Sequence, residues 1–257
     1  MDNIIIVHLF AGLGNQIFQY AAGFLQQKIT NGKLFFMYTH GNSHDTRDYR
    51  NIFNLPKYDD ELPQNIIYYH QQDSFEPWNP QDYINKNIIF EAYYQNYPTL
   101  KPILPEFKQI ILDKLKTQRE SILLKYNILP SSGFIHIRRG DYLDVQHIHH
   151  IQTIDYYTKA VEKLSHIKNW FIFSDDIEYV KNQPFFQNLN PTFVDESDPI
   201  MTLALMSEIR DGAIIANSTF SWWGAYLGTG EENVIYPLWW MHNNTPNLFP
   251  EKWIGIR

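Results

Sequence analysis

The sequence predicts an α/β protein built on parallel sheets, and three observations carry that expectation. Short runs rich in β-branched and aromatic residues alternate with helix-periodic segments along most of the 257 residues, the pattern of strands joined by crossover helices. The alternation starts afresh at Phe134, just after a breaker cluster from Leu129 to Gly133. Glycines and short polar residues gather directly after the apolar runs, where open α/β sheets hold their ligands. Two open α/β units, 1–128 and 129–257, facing each other across a cleft are therefore expected.

In the first half, strands are expected at Ile4–Leu9, Leu34–Tyr38, Ile66–Tyr69 and Ile88–Tyr93, with a helix over Gln16–Ile29. The polar stretch from Asn42 to Pro63 is expected to be irregular apart from a short helix near Tyr49 to Phe53. From Pro105 to Tyr126, Phe107, Ile110, Ile111, Leu115, Ile122 and Leu123 recur at mostly helical spacing, so one long amphipathic helix should close the first unit. The breaker cluster is the candidate linker. Beyond it, strands are expected at Phe134–Ile137, Trp170–Phe173, Thr192–Val194, Ala213–Ala216 and Val234–Tyr236, and helices at Ile154–Leu164 and Ile200–Ile209.

Composition narrows the function. A net charge of -7, with no block of like charge, argues against a protein that coats nucleic acid, so any phosphate it binds is expected on a small molecule. The absence of cysteine excludes disulfides, thiolate metal sites and cysteine nucleophiles. The start MDNIIIVHLF enters an apolar strand at once, with neither a basic leader nor a run long enough to span a bilayer. A cytosolic location is the expectation. Aromatic residues make up 16% of the chain, material for cores and for sugar-stacking surfaces alike.

The run HIRRGDY, His136 to Tyr142, carries the most chemistry. Strand alternation puts His136 and Arg138 on one face, about 7 Å apart, and Arg139 on the other. Gly140 permits a sharp turn, and Asp141 follows where a carboxylate can steer an arginine or take a proton. Adjacent arginines at a strand mouth suit a phosphate; a surface ion-pair cluster is the plain alternative.

Near the start, Ala11 to Gly23 reads AGLGNQIFQYAAG, where Gly12 and Gly14 allow close backbone approach to a ligand at a helix N-terminus. A dinucleotide fingerprint does not fit: its third glycine position holds Ile17, and no acidic residue ends the strand at Tyr38. Asn15 and Gln16 are the side chains expected to be exposed at that turn, for ligand contact or for capping. Asp175 and Asp176, after Ser174, suit a nucleobase edge or the cap of a helix near Ile177, and form a weak magnesium site without further ligands. Asn217, Ser218, Thr219 and Ser221 cluster where another helix begins, as a phosphate cradle or as caps. Trp222 and Trp223 are expected in the core, with one of them bordering the sugar site as the alternative. His147, His149 and His150 fall in a loop without an acidic partner at metal-ligand spacing, so substrate contact is expected there in preference to zinc or nickel.

In order and spacing, GLGNQIFQYAAG, HIRRGDY, FSDD and NSTFSWWGAYL resemble the α-1,2-fucosyltransferases of glycosyltransferase family 11 along nearly the whole chain, as do FEAYYQN at Phe90 to Asn96, IDYYTKA at Ile154 to Ala160 and ALMSEIRDGAIIANS at Ala204 to Ser218. The resemblance implies a GT-B-like architecture of two Rossmann-type domains. It implies transfer of L-fucose from the co-substrate GDP-β-L-fucose to the 2-hydroxyl of a β-galactoside, inverting and without metal or other cofactor. By the same resemblance Arg138 and Arg139 hold the pyrophosphate, His136 and a carboxylate of Asp175 and Asp176 contact guanine, Ser218 to Ser221 line the phosphates, and Asn15 lies near fucose and acceptor. Units 1–128 and 129–257 become the acceptor side and the donor side.

Asp141 is the first candidate for general base, although neighbouring arginines disfavour its taking a proton. Asp144 is the second, and late proton loss to water or phosphate is the third route. Ala92, where the family commonly has glycine, the short chain and the His-rich loop leave the acceptor open. The alternatives are another GDP-sugar transferase of different linkage, or a non-catalytic GDP-sugar or glycan binder. A lipid-linked galactose-ended acceptor would bring the protein to the inner face of the membrane without an anchor.

Overall fold

The structure is a computed structural model that describes residues 3–39, 47–71, 73–241 and 246–257. Ten strands, all paired in parallel among the described residues, form two sheets. The chain divides into two compact units, Met1–Lys114 with Pro246–Leu248, and Leu115–Thr245 with Phe249–Arg257.

The first unit holds a four-stranded sheet of order β2-β1-β4-β3. Its strands are β1 (Ile4–Leu9), β2 (Lys33–Tyr38), β3 (Ile66–Tyr69) and β4 (Asn87–Phe90). Ile5, Ile6 and Val7 of β1 are consecutive and buried, as expected for a parallel strand covered on both faces. Helix α1 (Leu13–Thr30) crosses from β1 to β2 and ends on Asn31, whose φ of 55° is a left-handed cap. Its Gly23 lies where a Cβ would meet Val7 at 2.4 Å and Leu34 at 2.9 Å, so helix and sheet approach closely there. Strand β4 stops at Phe90, earlier than expected, because Tyr94 turns at φ 56° and its hydroxyl donates back to the Tyr69 carbonyl at 3.0 Å. Helix α2 (Tyr97–Leu100) follows, capped by the Asn96 side chain. Arg50 to Asn54 make turns, not the short helix expected over Tyr49–Phe53.

The single helix expected over Pro105–Tyr126 is two: α3 (Leu104–Lys114) and α4 (Lys116–Lys125), broken at Leu115. Phe107 of α3 packs edge-on to Tyr20 of α1 at 4.9 Å, whereas Arg119 of α4 pairs with Glu208. Each half buries its stripe in its own unit, and the division of the chain falls at the break.

The second unit holds a six-stranded sheet of order β10-β9-β8-β5-β6-β7. Its strands are β5 (Ser132–Ile137), β6 (Asn169–Ser174), β7 (Thr192–Phe193), β8 (Gly212–Ile214), β9 (Val234–Pro237) and β10 (Ile254–Ile256). Helices α5 (Ile154–Lys163), α6 (Ile177–Lys181), α7 (Pro184–Gln187), α8 (Pro199–Glu208) and α9 (Thr219–Gly228) cover it. The expected linker runs straight into β5, where a Cβ on Gly133 would meet Trp170 at 2.9 Å. Ile135 and Ile137 join Tyr156, Tyr157 and Ala160 of α5 in the core on one face. His136 points to the other face, where its ring is 5.9 Å from Phe220 of α9.

Candidate functional site

In the second unit the polar motifs stand beyond the carboxyl ends of β5, β6 and β8. Leaving β5, the chain tightens at Gly140 into a short 3-10 turn over Asp141–Leu143. A Cβ on Gly140 would sit 2.7 Å from an Asp175 oxygen, so this turn needs glycine for the approach of that carboxylate.

The turn displays the arginine pair. Arg138 Nη2 contacts Asp141 Oδ1 at 2.6 Å and Nη1 contacts Asp175 Oδ2 at 3.0 Å, with the Tyr142 ring centre 5.3 Å from the guanidinium carbon. Its side chain is 31% exposed, so a cation fixed by two carboxylates still meets solvent. Arg139 turns the other way: Nε donates to Asp176 Oδ2 at 3.1 Å and the guanidinium lies 3.4 Å from the centre of the Tyr179 ring. The Arg139 backbone N–H donates to Asp175 Oδ1 at 2.8 Å. Asp176 also caps α6, accepting from the Tyr179 N–H at 3.3 Å. The expected alternation of the two arginines and the expected cap near Ile177 are both present.

His136 is buried, and its Nδ1 has no hydrogen-bond partner. Burial pushes its pKa down to about 4, with Asp175 drawing it up and Arg138 pressing it further down. It is a neutral ring at physiological pH. His149 stacks on Tyr142 at 4.3 Å and 9°, and burial lowers its pKa as well. The histidine loop thus covers the ring that lies beneath Arg138. His150 stands edge-on to Trp239 at 4.8 Å. Among the described residues, no group of three or more His, Asp or Glu is placed to hold a metal ion.

Beyond β8, Asn217 ties the loop together: its Nδ2 donates to the Trp240 carbonyl at 2.9 Å, and its own carbonyl accepts from the Tyr142 hydroxyl at 2.9 Å. Ser218 is the N-cap residue of α9 and makes no side-chain cap bond; it is buried, and Thr219 and Phe220 after it are half-buried. Ser221 is fully buried and its hydroxyl donates to the carbonyls of Ala216 and Ser218. Thr219 begins the helix, and Trp222 and Trp223 are core, as expected.

In the first unit the strand ends carry a second polar set. Gly12 is the N-cap residue of α1 with φ -70°, and the left-handed strain falls on Ala11, at φ 61°. The left-handed turn therefore sits at Ala11, one residue before Gly12. Gly14 lies buried in the first turn. Asn15 accepts from Gln95 Nε2 at 3.0 Å. Gln16, expected to be exposed, is instead 2% exposed. Its amide donates to the carbonyls of Ala11 and Arg47, both at 2.7 Å, and accepts from the Tyr49 N–H, because those backbone groups need partners inside the fold. His8 sits between Glu91, at 3.5 Å, and the Thr39 hydroxyl.

Sequence reasoning missed Tyr142, Tyr179 and Gln95, which orient the arginines and Asn15. Tyr142 lies in the quoted HIRRGDY run and Gln95 in FEAYYQN. Tyr179 carried no local signal.

The sequence pattern described as Glycosyl transferase family 11 matches residues 4–257. An α-1,2-colitosyltransferase of Escherichia coli is 30% identical over 292 aligned positions, covering 99% of this chain and 99% of the relative. The O-antigen biosynthesis glycosyltransferase WbnK of Escherichia coli is 29% identical, covering 96% and 99%. A galactoside 2-α-L-fucosyltransferase of Caenorhabditis elegans is 29% identical over 53% of this chain and 38% of its own length. Among solved structures, the fucosyltransferase NodZ from Bradyrhizobium superposes with a TM-score of 0.53 at 10% identity, covering 89% of this chain and 94% of that one. POFUT1 in complex with GDP gives 0.51 at 12% identity, covering 97% and 98%. At these identities the likeness establishes the fold, a GT-B-like pair of Rossmann-type units.

Proposed function

The chain belongs to glycosyltransferase family 11, and from that premise we propose that it moves L-fucose from GDP-β-L-fucose to the 2-hydroxyl of a terminal β-galactoside, with inversion and without a metal ion or other cofactor. The observation that carries this reading is Arg138, a part-exposed cation gripped by Asp141 and Asp175 at the mouth of β5. Cleaving the bond from fucose to phosphate builds positive charge on the sugar and negative charge on departing GDP. Without a metal, that negative charge needs fixed cations and backbone donors. Arg138 and Arg139 supply the cations, and the start of α9 at Asn217, Ser218 and Thr219 supplies donors, with buried Ser221 bracing the loop. His136 is the neutral neighbour behind the turn.

Unit 1 takes the acceptor side. Asn15, steadied by Gln95, meets sugar hydroxyls beside the turn of Gly12 and Gly14, while Gln16 holds that turn in shape. Asp141 is our assignment for accepting the galactose proton, which requires its ion pair with Arg138 to loosen as donor phosphate arrives; Asp144 is the reserve. The acceptor is a galactose-ended glycan of a surface polysaccharide, met in the cytoplasm or at the inner membrane face. No helix among the described residues is long and apolar enough to cross a membrane.

The test is GDP release from GDP-fucose with lactose and with N-acetyllactosamine, with and without EDTA, with UDP-galactose as donor control and linkage analysis of the product. Acceptor-dependent, EDTA-resistant release with an α-1,2 product is expected. A melting shift with GDP-fucose but no release with either acceptor overturns the galactoside assignment. The 30% identical relative favours one second reading, transfer of colitose, the 3-deoxy counterpart of fucose, to the same kind of hydroxyl. Competition between the two GDP-sugars decides between them.

A further inference from the structure

All four carboxylate oxygens of Asp175 and Asp176 already have a donor. Asp175 Oδ1 accepts from the Arg139 N–H at 2.8 Å and its Oδ2 from Arg138 Nη1 at 3.0 Å. Asp176 Oδ1 accepts from the Tyr179 N–H at 3.3 Å and its Oδ2 from Arg139 Nε at 3.1 Å. The two arginines are therefore built alike, each with a carboxylate from the end of β6 on its edge and a tyrosine ring, Tyr142 or Tyr179, against its face. Gly140 closes the side of Asp175 Oδ2, where a Cβ would come within 2.7 Å. Each of these oxygens retains a lone pair, but a nucleobase edge read by Asp175 would compete with Arg138 and the backbone of the turn for the same carboxylate.

We propose that Asp175 is a positioning residue that aims Arg138 at the diphosphate of the donor, and that it is not the guanine-reading group which family resemblance suggests for this pair. The inference rests on the GDP-sugar reading and assigns the work within it. An arginine guanidinium is planar and presents its donors in a fixed fork, so its value to a diphosphate depends on the angle at which it is held. Asp141 and Asp175 grip different nitrogens, which fixes both the direction of the fork and its rotation. An incoming phosphate exchanges with Asp141, three residues along the same turn, while Asp175 keeps its hold through Nη1 and through the Arg139 N–H.

The experiment measures calorimetric affinities of the intact protein for GDP, GMP and IDP, in wild type and in Asp175→Asn. IDP lacks the 2-amino group that a carboxylate reads on guanine, and GMP lacks the second phosphate. The variant is expected to bind GDP roughly ten- to a hundredfold more weakly, the range for losing a charge-assisted hydrogen bond. GMP affinity should change less than about threefold, and the GDP to IDP preference should persist. Collapse of that preference would make Asp175 a base reader and overturn the proposal. Equal losses for all three nucleotides would mark a structural role only and overturn it as well. Gly140→Ala, which presses on the same carboxylate without changing charge, should shift the GDP to GMP ratio in the same direction, and decides the matter if Asp175→Asn does not fold. Failure of the wild type to bind GDP at all would instead sink the functional reading.

Discussion

Lysine at position 138 would keep the charge of Arg138 and lose its geometry. Arg138 offers one nitrogen to Asp141 and another to Asp175 while its face lies over Tyr142, and an ammonium cannot satisfy these directions together. Arg138→Ala is expected to lower the transfer rate by about a hundred- to a thousandfold, about 2.7 to 4 kcal/mol of transition-state stabilisation, and Arg138→Lys is expected not to rescue it. Steady-state kinetics with GDP-fucose check this, and near-normal turnover of the lysine variant would remove the fork argument. His136 makes a prediction about pH. Its folded-state pKa of about 4 lies below the ordinary 6.5, so folding favours the neutral ring. That contribution is complete above pH 6.5 and is lost as pH falls from 6.5 towards 4, because the unfolded chain then binds a proton that the folded one refuses. The loss is on the order of 3 kcal/mol across that window. Urea unfolding at several pH values should show the slope, and His136→Asn should flatten it. The sequence exposed both residues because charge and imidazole at a strand end stand out in one dimension. Tyr179 escaped because ring stacking on Arg139 joins residues 40 positions apart through a fold the local pattern cannot encode.

At the scale of elements, the strands were legible wherever apolar runs were continuous. Strands β1 and β3 fall where expected, and β5, β6 and β9 extend the expected runs by one or two residues; in β1, β5 and β6 burial on both faces writes itself as uninterrupted hydrophobicity, while the edge strand β3, with Ile67 and Tyr68 exposed, shows as a β-branched and aromatic run. Strand β10 was not legible: three residues interrupted by Gly255 carry no period, and that glycine is there for packing, since a Cβ would meet the Tyr236 ring at 2.8 Å. The broken helix at Leu115 was hidden for a related reason, because a stripe serving two units keeps helical spacing across the break. The crossing of α8 and α9 shows how tightly the second unit sets the start of α9. A Cβ on Gly224 would meet Met206 Sδ at 2.5 Å, while one on Gly228 would meet the backbone carbonyls of Ile209 and Met206 at 2.6 and 2.7 Å. Gly224→Ala is expected to destabilise by about 1 to 3 kcal/mol, as overpacking does. Met206→Ala should recover part of that in the double variant, because a flexible side chain is the obstacle. Gly228→Ala should find no such rescue, because the obstacle is main chain. Thermal unfolding of the three single and two double variants reads the difference, and equal rescue at both sites would refute the packing account.

For the whole molecule, the proposed division of labour rests on where the polar motifs lie along the chain. The arginine turn, both β6 carboxylates and the start of α9 all belong to the unit containing Leu115–Thr245, while Gly12, Gly14, Asn15 and Gln95 belong to the other. In the proposed reading a net charge of -7 gives GDP no general attraction, and its affinity is expected to come from this local pair of cations, whose field is screened by salt beyond about 8 to 10 Å. Nucleotide alone should therefore leave a localised mark. Hydrogen exchange of the intact protein with GDP near a hundred times its dissociation constant, worth about 2.7 kcal/mol to a state that binds it, is expected to slow at residues 138–143 and 217–222. Amides at 12–16 should exchange as before, because their ligand in this reading is the sugar and its acceptor. Arg138→Ala should abolish the protection while leaving the exchange pattern of β1–β4 unchanged. Protection appearing equally at 12–16 with GDP alone would place nucleotide contacts on the first unit too, and the assignment of that unit to the acceptor would have to be abandoned.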